Sequence, residues 1–172
     1  MPTLTGLLPI ENPDARALVL GSMPGGMSLR LGRYYAHPQN RFWSFMGELL
    51  GAHPALPYAQ RVEILRGAGL ALWDVLAECE REGSLDSAIR AEVANDFRGF
   101  IGAHPKLRAI LFNGAKAEQS FRRHALPALG GLDLALIRLP STSPANASQP
   151  EADKRTAWRA ALQSAGVRLT SA

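Results

Sequence analysis

Residues 15–26 read ARALVLGSMPGG, a short apolar run that ends in a turn rich in glycine and proline. A continuous apolar run of this length, bounded by turn residues, predicts a buried strand over residues 15–20. In open parallel sheets, ligands bind beyond the carboxyl ends of the strands. We therefore expect the turn that carries Ser22 and Met23 to border a functional site. A tight turn that binds nothing is the alternative interpretation.

Three further apolar runs have the length of buried strands: residues 69–76, 107–112 and 132–139. Helical patterns lie between and after them, over residues 42–50, 59–66, 95–101, 115–124 and 151–165. Residues 80–87, EREGSLDS, are expected to form a loop that leads into a helix. Strands that alternate with helices are typical of α/β proteins. We predict three layers, α/β/α, around a central four-stranded, mainly parallel sheet, and we treat residues 1–172 as a single domain.

The composition is ordinary for a soluble globular protein, with 47% hydrophobic and 20% charged residues. No apolar run approaches the ~18 residues of a membrane span. The N-terminus also lacks the basic and apolar segments of a secretory signal. The single cysteine, Cys79, rules out an intramolecular disulfide and a cysteine-ligated cluster, and we expect it to lie in a helix. We therefore expect a cytoplasmic protein that does not bind a membrane.

Positive charge is distributed unevenly along the chain, whose formal net charge is +4. Residues 1–104 hold 9 basic and 11 acidic side chains, whereas residues 105–172 hold 10 basic and 4 acidic ones. Residues 15–47 contain four arginines and no acidic side chain. Both basic stretches have the charge that suits phosphate groups, and a solvated surface is the alternative.

Residues 33–43, RYYAHPQNRFW, concentrate aromatic and amide side chains just before a predicted helix. Phe42 belongs to the apolar stripe of that helix and is expected in the core. The side chains that precede the stripe are free to serve a site: Tyr34, Tyr35, His37, Gln39 and Asn40. An aromatic ring stacks on a nucleobase, and an asparagine holds a water molecule or pairs with a base edge.

Polar residues also follow the other predicted strands. Asp74 lies near the end of the second strand, where partial burial requires hydrogen-bond donors for its carboxylate. Asn113 follows the third strand. Residues 140–146, PSTSPAN, follow the fourth strand and supply hydroxyl groups and an amide that suit phosphates. Each of these candidates has a plainer interpretation. Asp74 is then a helix cap or turn acceptor, Asn113 is a turn residue, and residues 140–146 form an ordinary loop rich in serine and proline.

The strings GSMPG, residues 21–25, and HPQNRFW, residues 37–43, resemble the first motif of the mismatch-specific branch of the uracil-DNA glycosylase superfamily. Residues 140–146 occupy the place of its second motif, and the resemblance covers most of the chain. It implies a uracil-DNA glycosylase-like fold and a monofunctional DNA glycosylase of base excision repair, which hydrolyses the N-glycosidic bond without a metal or cofactor. The implied partner is DNA that contains deaminated bases, and we expect the protein to be a monomer.

Departures from the family pattern indicate one branch. Mismatch-specific relatives carry a water-positioning asparagine, and uracil-specific relatives an aspartate, where this chain has Met23, whose thioether cannot orient water. Residues 139–141, LPS, lack the histidine of the most active uracil enzymes. The single cysteine excludes the iron–sulfur branches. The chain therefore resembles the hypoxanthine-DNA glycosylases, which are thought to rely on a later asparagine that corresponds to Asn40.

The resemblance implies a role for each candidate residue. Asn40 is the expected catalytic residue, which places water below C1′ of the sugar. The expected base-binding residues are Ser22, Met23, Tyr35, Asp74 and Asn113. Tyr35 stacks on the flipped base, and Asp74 accepts its ring N–H.

The expected DNA-binding residues are Arg138, Pro140, Ser141, Thr142, Ser143 and Asn146. The three hydroxyl side chains hold phosphates and Arg138 supplies positive charge. Ala145 and Asn146 fill the space that the flipped base leaves in the stack.

Three alternatives remain open at this point. The first is a uracil- or mismatch-specific DNA glycosylase. The second is a catalytically silent nucleic-acid-binding module of the same fold, and the third is a hydrolase of free nucleosides. The last predicts cleavage of free deoxyinosine with little salt dependence. The sequence does not determine the preferred base among hypoxanthine, uracil and xanthine, nor the choice between single-stranded and duplex DNA.

Overall fold

The computed structural model describes residues 3–170. In chain order the strands are β1 (Thr3–Thr5), β2 (Ala17–Gly21), β3 (Leu70–Asp74), β4 (Leu76–Glu80), β5 (Arg90–Ala94), β6 (Ala109–Asn113) and β7 (Ala135–Leu139). The α-helices are α1 (Gly26–Leu31), α2 (Phe42–Leu50), α3 (Tyr58–Ala68), α4 (Phe97–Ala103), α5 (Ala115–Ser120) and α6 (Glu151–Ser164). None of the helices within residues 3–170 combines the length and apolar character that crossing a membrane requires.

Four parallel strands form the central sheet in the order β3-β2-β6-β7. In β2, Ala17 pairs with Leu70 on one side and with Ala109 on the other. Every residue of β2 is buried, because helices cover both faces of the sheet. Helices α2, α3 and α6 pack on one face, and α4 and α5 pack on the other. The predicted α/β/α layers and the four-stranded sheet are confirmed.

A second sheet, which the sequence did not predict, is antiparallel with the order β1-β4-β5. The apolar run over residues 69–76 contains β3 and the start of β4, which only Val75 separates. The predicted helical position of Cys79 is wrong, since this residue lies buried in β4. Strand β5 reads RAEVA with exposed or half-buried side chains, so it lacks the apolar pattern that marks a strand in sequence.

Two helix boundaries also differ from prediction. Helix α4 begins after Asp96, whose carboxylate accepts a hydrogen bond of 3.0 Å from the Gly99 amide. Asn95, the first residue of the predicted helix, lies outside α4 and donates to the carbonyl oxygen of Asp74 at 2.8 Å. Helix α3 continues past Gly67 and ends at Gly69, whose φ of 89° lies in the left-handed region that favours glycine.

Part of the positive charge of the C-terminal region lies where the central strands begin, at the end opposite their carboxyl termini. A cleft of about 320 Å³ there is lined by Asp14, Arg16, Lys106, Arg108 and Arg168, among others. Lys106 pairs with Asp14 at 2.7 Å. Arg168 donates to the carbonyl oxygen of Gly67 at 2.8 Å, near the C-terminal end of α3, where a cation is favourable. These contacts favour a structural role for this part of the basic charge.

Candidate functional site

The carboxyl ends of the four parallel strands open into one pocket of about 870 Å³. The twelve predicted site residues all line it: Ser22, Met23, Tyr35, Asn40, Asp74, Asn113, Arg138, Pro140, Ser141, Thr142, Ser143 and Asn146. Parallel pairing explains why they meet. Gly21 lies opposite Asp74, and Asn113 lies opposite Leu139, so the segments that follow each strand begin at the same edge of the sheet.

Gly21 allows two polar side chains to approach the end of β2 closely. A Cβ atom at this position would lie 2.6 Å from Asp74 Oδ1 and 3.2 Å from Tyr35 Oη. The first distance is shorter than a carbon and an oxygen tolerate without a bond. The absence of a side chain at Gly21 is therefore what makes room for the Asp74 carboxyl group and the Tyr35 hydroxyl group.

Asp74 and Tyr35 carry buried oxygen atoms that the protein does not satisfy. Within the described residues, neither Asp74 Oδ2 nor Tyr35 Oη has a hydrogen-bond partner. Buried polar groups without partners are rare in folded proteins, so an unpaired group beside a pocket is a candidate for contact with a ligand. Burial, with a smaller contribution from the Asp86 carboxylate, raises the pKa of Asp74 to about 7. The carboxyl group therefore changes charge near neutral pH.

Tyr35 is fixed by its aromatic neighbours. Its ring stacks on Phe42 with the centroids 4.2 Å apart, and its backbone has a φ of 53°, a conformation uncommon for a tyrosine. Phe42 is fully buried, as the apolar stripe predicts. Tyr34, which was expected to be free for the site, is only 4% exposed, and its hydroxyl donates to the carbonyl oxygen of Leu8 at 2.7 Å. Tyr34 therefore anchors residues 33–43 in the core, whereas the ring of Tyr35 lies at the pocket.

Asn40 lines the pocket directly before α2. Its side-chain oxygen accepts a hydrogen bond of 2.9 Å from the amide of Phe42, the first residue of that helix. This bond satisfies one of the amides that a helix start leaves without an intrahelical partner. The same bond sets the orientation of the amide group, so Asn40 is both a structural and a pocket residue.

The loop of residues 140–146 is held by side chains of the sheet and of α6. Asn113 Nδ2 donates to Thr142 Oγ1, and Asn113 Oδ1 accepts from the Thr142 amide, both at 2.9 Å. Thr142 is 1% exposed. The indole of Trp158 in α6 donates to the carbonyl oxygen of Pro140 at 3.0 Å. The hydroxyl of Thr142 is therefore engaged inside the protein, whereas Ser141 and Ser143 are half-buried and closer to solvent.

One wall of the pocket was missed by sequence reasoning, namely residues 84–87. The Ser22 hydroxyl donates to Asp86 Oδ1 at 2.5 Å, and Ser84 Oγ accepts from the Gly26 amide at 3.0 Å. Arg81 is 4% exposed and donates to the carbonyl oxygen of Pro24 at 2.6 Å. These residues follow β4, which the sequence did not predict, so no strand end marked them as candidates.

Met23 and Arg138 occupy different environments within the pocket. Met23 is 6% exposed and belongs to the apolar cluster that contains Leu76 and Ile89. Arg138 is exposed, and its guanidinium lies 3.6 Å from a carboxylate oxygen of Glu118. Within residues 3–170, His, Cys, Asp and Glu side chains nowhere gather in threes close enough to ligate a metal ion.

Comparisons with known proteins identify relatives across most of the chain. The family model described as the uracil DNA glycosylase superfamily matches residues 8–163. A hypoxanthine DNA glycosylase of Methanosarcina acetivorans is 37% identical over 142 residues, which cover 82% of this chain and 87% of the relative. A hypoxanthine DNA glycosylase of Methanosarcina barkeri is 37% identical over 113 residues, which cover 65% of this chain and 72% of the relative.

A solved structure has a similar fold. The chain superposes with a TM-score of 0.80 on the solution NMR structure of a candidate uracil DNA glycosylase from Methanosarcina acetivorans. The two sequences are 33% identical, and the match covers 95% of this chain and 99% of the other.

Proposed function

Because the chain belongs to the uracil DNA glycosylase superfamily, we propose that it is a monofunctional DNA glycosylase that excises hypoxanthine from deoxyinosine in DNA. The resemblance stated from the two sequence motifs is confirmed at the level of the family. The observation that supports the proposal most directly is the pair of unsatisfied buried oxygens of Asp74 and Tyr35 at the bottom of a nucleotide-sized pocket. We further propose that one domain of 172 residues acts as a monomer in the cytoplasm.

The substrate in this proposal is a nucleotide turned out of the DNA stack. A glycosidic bond inside a duplex is not reachable, and extrusion costs a few kcal/mol, least at a mismatched or damaged base pair. Deamination of adenine produces such a pair. A pocket of about 870 Å³ has room for one nucleotide.

Asp74 and Tyr35 supply the proposed base recognition. One face of the Tyr35 ring is covered by Phe42, and the opposite face remains for the flipped base. The ionised Asp74 carboxylate accepts the ring N1–H of hypoxanthine, and adenine carries no hydrogen on N1. The ionised form of Asp74 then selects against adenine, because adenine would leave a buried carboxylate without a donor. Ser22 and Met23 contribute their backbone to the wall beside the base.

Asn40 is the proposed catalytic residue. Cleavage passes through a sugar with oxocarbenium character, so the site must place one water below C1′ and stabilise the leaving base. The Phe42 amide occupies one lone pair of Asn40 Oδ1, and the second lone pair is available to orient the attacking water. The proton of that water leaves to solvent as the new C1′–O bond forms, and the base departs with the electrons of the broken C1′–N bond.

The loop of residues 140–146 and Arg138 are proposed to hold the DNA backbone. Ser141 and Ser143 donate neutral hydrogen bonds to phosphates, and Arg138 adds positive charge at the rim. Pro140 and Asn146 shape the loop against the strand. Thr142 acts from inside the protein by fixing the loop to Asn113. Asn113 therefore serves the base-binding pocket by positioning its wall.

Incubation with labelled duplexes that carry one deoxyinosine or one deoxyuridine tests the proposal. Alkaline cleavage reveals abasic sites, and free deoxyinosine serves as a third substrate. We expect cleavage at deoxyinosine in DNA. Cleavage at deoxyuridine alone would change the assigned base, whereas tight, salt-sensitive binding without cleavage would indicate a silent binding module. Cleavage of the free nucleoside at the same rate would contradict a DNA substrate.

A further inference from the structure

Arg81 is a buried cation to which the proposed reaction assigns no part. It follows β4, is 4% exposed, and donates to the carbonyl oxygens of Gly83 at 2.9 Å and Pro24 at 2.6 Å. Its third nitrogen, Nη1, is buried without a hydrogen-bond partner, and no ion pair within residues 3–170 includes this guanidinium. A buried charge that no carboxylate neutralises is weakly screened, so its field reaches neighbouring groups. Arg81 therefore acts on its neighbours through its charge as well as through its two hydrogen bonds.

Asp86 places a carboxylate on the same connection, which joins β4 to β5. Its side chain lines the pocket, and its Oδ1 accepts a bond of 2.5 Å from the Ser22 hydroxyl. Asp86 is exposed, whereas Ser22 is only 7% exposed. One short connection thus brings two opposite charges to the pocket wall, a buried cation and an exposed carboxylate.

Both charges contact the turn after β2, which also contacts Asp74. Gly21, where this turn begins, lies opposite Asp74 in the sheet, and a Cβ atom on Gly21 would lie 2.6 Å from Asp74 Oδ1. Ser22 and Pro24 of the same turn bind the carboxylate and the guanidinium of the connection. Three charged or titratable side chains are therefore grouped around four consecutive residues.

The ionisation of Asp74 responds to both of its charged neighbours. Burial raises the pKa of Asp74 most, the Asp86 carboxylate raises it further, and the Arg81 guanidinium lowers it. A like charge nearby disfavours ionisation, and an opposite charge favours it. Tyr34 and Tyr35 also interact with Asp74, but burial raises the pKa of both hydroxyls, so they stay neutral when Asp74 titrates. Arg81 and Asp86 are thus the two groups that carry charge beside Asp74 near neutral pH.

We propose that Arg81 and Asp86 are positioning residues that set the charge of Asp74, since Arg81 favours the carboxylate that accepts the ring N–H of the base and Asp86 opposes it. This role rests on the proposed function, because only the ionised form of Asp74 selects hypoxanthine against adenine. Neither side chain needs to touch the base or the sugar. Removal of one charge should therefore displace the pH dependence of excision in one direction, and removal of the other should displace it in the opposite direction.

The test measures kcat/KM for a deoxyinosine duplex against pH in the wild-type protein, Arg81→Gln and Asp86→Asn. The asparagine keeps an oxygen atom for the Ser22 hydroxyl. Arg81→Lys keeps the positive charge, and Ser84→Ala is the matched control, because it removes an uncharged contact of the same connection. The remaining acidic, basic and histidine side chains of the pocket wall are the same in every variant: His37, Lys116 and Arg138.

A second readout follows Asp74 in the free protein. The NMR signal of its side-chain carboxyl carbon, identified by its loss in Asp74→Asn, reports ionisation without any substrate. Urea denaturation checks that the variants fold. Asp86 is exposed, so Asp86→Asn tests the proposal even if Arg81→Gln does not fold.

We expect Arg81→Gln to move the midpoints of both titrations to higher pH and Asp86→Asn to move them to lower pH. A displacement of about one pH unit, the order expected for a charge beside a buried carboxyl group, changes the ionised fraction roughly fivefold. Excision should fall by about that factor at about pH 7 in Arg81→Gln and rise by it at about pH 6 in Asp86→Asn. Arg81→Lys and Ser84→Ala should keep the wild-type midpoints.

Midpoints that stay fixed, or that move in the same direction in both charge variants, would overturn the proposal, because a structural contact alone would not shift them in opposite directions. Wild-type protein that excises no base would instead overturn the proposed function. The titration of the carboxyl carbon would then decide by itself whether the two charges act on Asp74.

Discussion

Asn113 and Thr142 exchange two hydrogen bonds of 2.9 Å between the end of β6 and the loop of residues 140–146. The carbonyl oxygen of Thr142 also accepts a bond of 3.0 Å from the amide of Arg41, just before α2. Thr142 therefore connects the segment that carries Asn40 with two strand ends of the central sheet. The distance between the two sequence motifs is set by these three bonds.

Replacement of Asn113 should show how much this connection contributes to stability and to DNA binding. In Asn113→Ala the buried amide and hydroxyl of Thr142 lose their partner, so we expect the free energy of unfolding to fall by about 1–3 kcal/mol. Urea denaturation measures this loss, and anisotropy with a deoxyinosine duplex measures the accompanying loss of DNA affinity. Asn12→Ala, which removes two exposed hydrogen bonds, one to the Arg66 carbonyl and one from the Asp14 amide, should change stability by no more than about 0.5 kcal/mol. Wild-type stability of Asn113→Ala would contradict this role.

Gly21→Ala should displace the base-binding residue Asp74 and leave the proposed catalytic residue, Asn40, unchanged. The new Cβ atom would lie 2.6 Å from Asp74 Oδ1, so the carboxyl group must move. We expect the free energy of unfolding to fall by roughly 1–3 kcal/mol, the usual cost of overpacking a filled interior, and kcat/KM for deoxyinosine to fall because Asp74 is displaced. Gly67→Ala is the control, since a Cβ there meets nothing within 4 Å and α3 gains helix propensity. Full activity of Gly21→Ala would show that Asp74 does not need its observed position.

The raised pKa of Asp74 makes stability fall as pH rises. In the folded protein the carboxyl group keeps its proton up to a pKa of about 7, whereas in the unfolded chain it ionises near its ordinary value of 3.8. Between these values the folded state binds more protons, so the free energy of unfolding decreases from about pH 4 to about pH 7 and then levels off. Asp74→Asn should remove this slope. Urea denaturation at several pH values would contradict the assignment if both proteins gave the same curve.

Base recognition by Asp74 should depend on pH in the opposite direction from the free energy of unfolding. The ionised carboxylate accepts the ring N–H of hypoxanthine more strongly than the protonated carboxyl group does, so excision of deoxyinosine should rise with pH through about 7. We expect this rise in kcat/KM under conditions where the protein stays folded, and its absence in Asp74→Asn. We would measure kcat/KM from about pH 6 to about pH 8, which is one pH unit on either side of the shifted pKa. A wild-type kcat/KM that stays constant over this range would contradict the role of Asp74 as a hydrogen-bond acceptor.

Asn40→Ala should separate chemistry from folding. Loss of the bond to the Phe42 amide lowers the free energy of unfolding by about 1 kcal/mol, and loss of the water-positioning oxygen abolishes excision. Asp96→Ala is the matched control, because it removes a hydrogen bond at the start of α4, outside the pocket. It should cost a similar amount of stability and keep its excision rate. Unchanged single-turnover excision by Asn40→Ala would refute the catalytic assignment.

Local patterns were sufficient to predict the central sheet and its helices. The buried strands of a parallel sheet are nearly all apolar, so β2 and β6 are visible as short runs between turns and helices. The second sheet could not be predicted from sequence, because its strands lack such apolar runs. Strand β5 pairs with β4 through its backbone, and its side chains, RAEVA, carry no periodic signal.

The candidate site was predictable to the extent that it lies at strand ends. Asp74, Asn113 and the loop of residues 140–146 follow three apolar runs, and parallel strands bring their carboxyl ends to one edge. The wall formed by residues 84–87 was not predictable, because it belongs to the connection between β4 and β5 of the antiparallel sheet.

The sequence by itself determined the fold class, the family motifs and the pocket residues that follow the strands of the central sheet, because each depends on residue type and spacing along the chain. Only the tertiary structure decided what those residues do there. It buried Asp74 and raised its pKa, and it turned Thr142 inward to Asn113. Burial, hydrogen-bond partners and local charge arise from contacts between distant segments, and no local pattern encodes them.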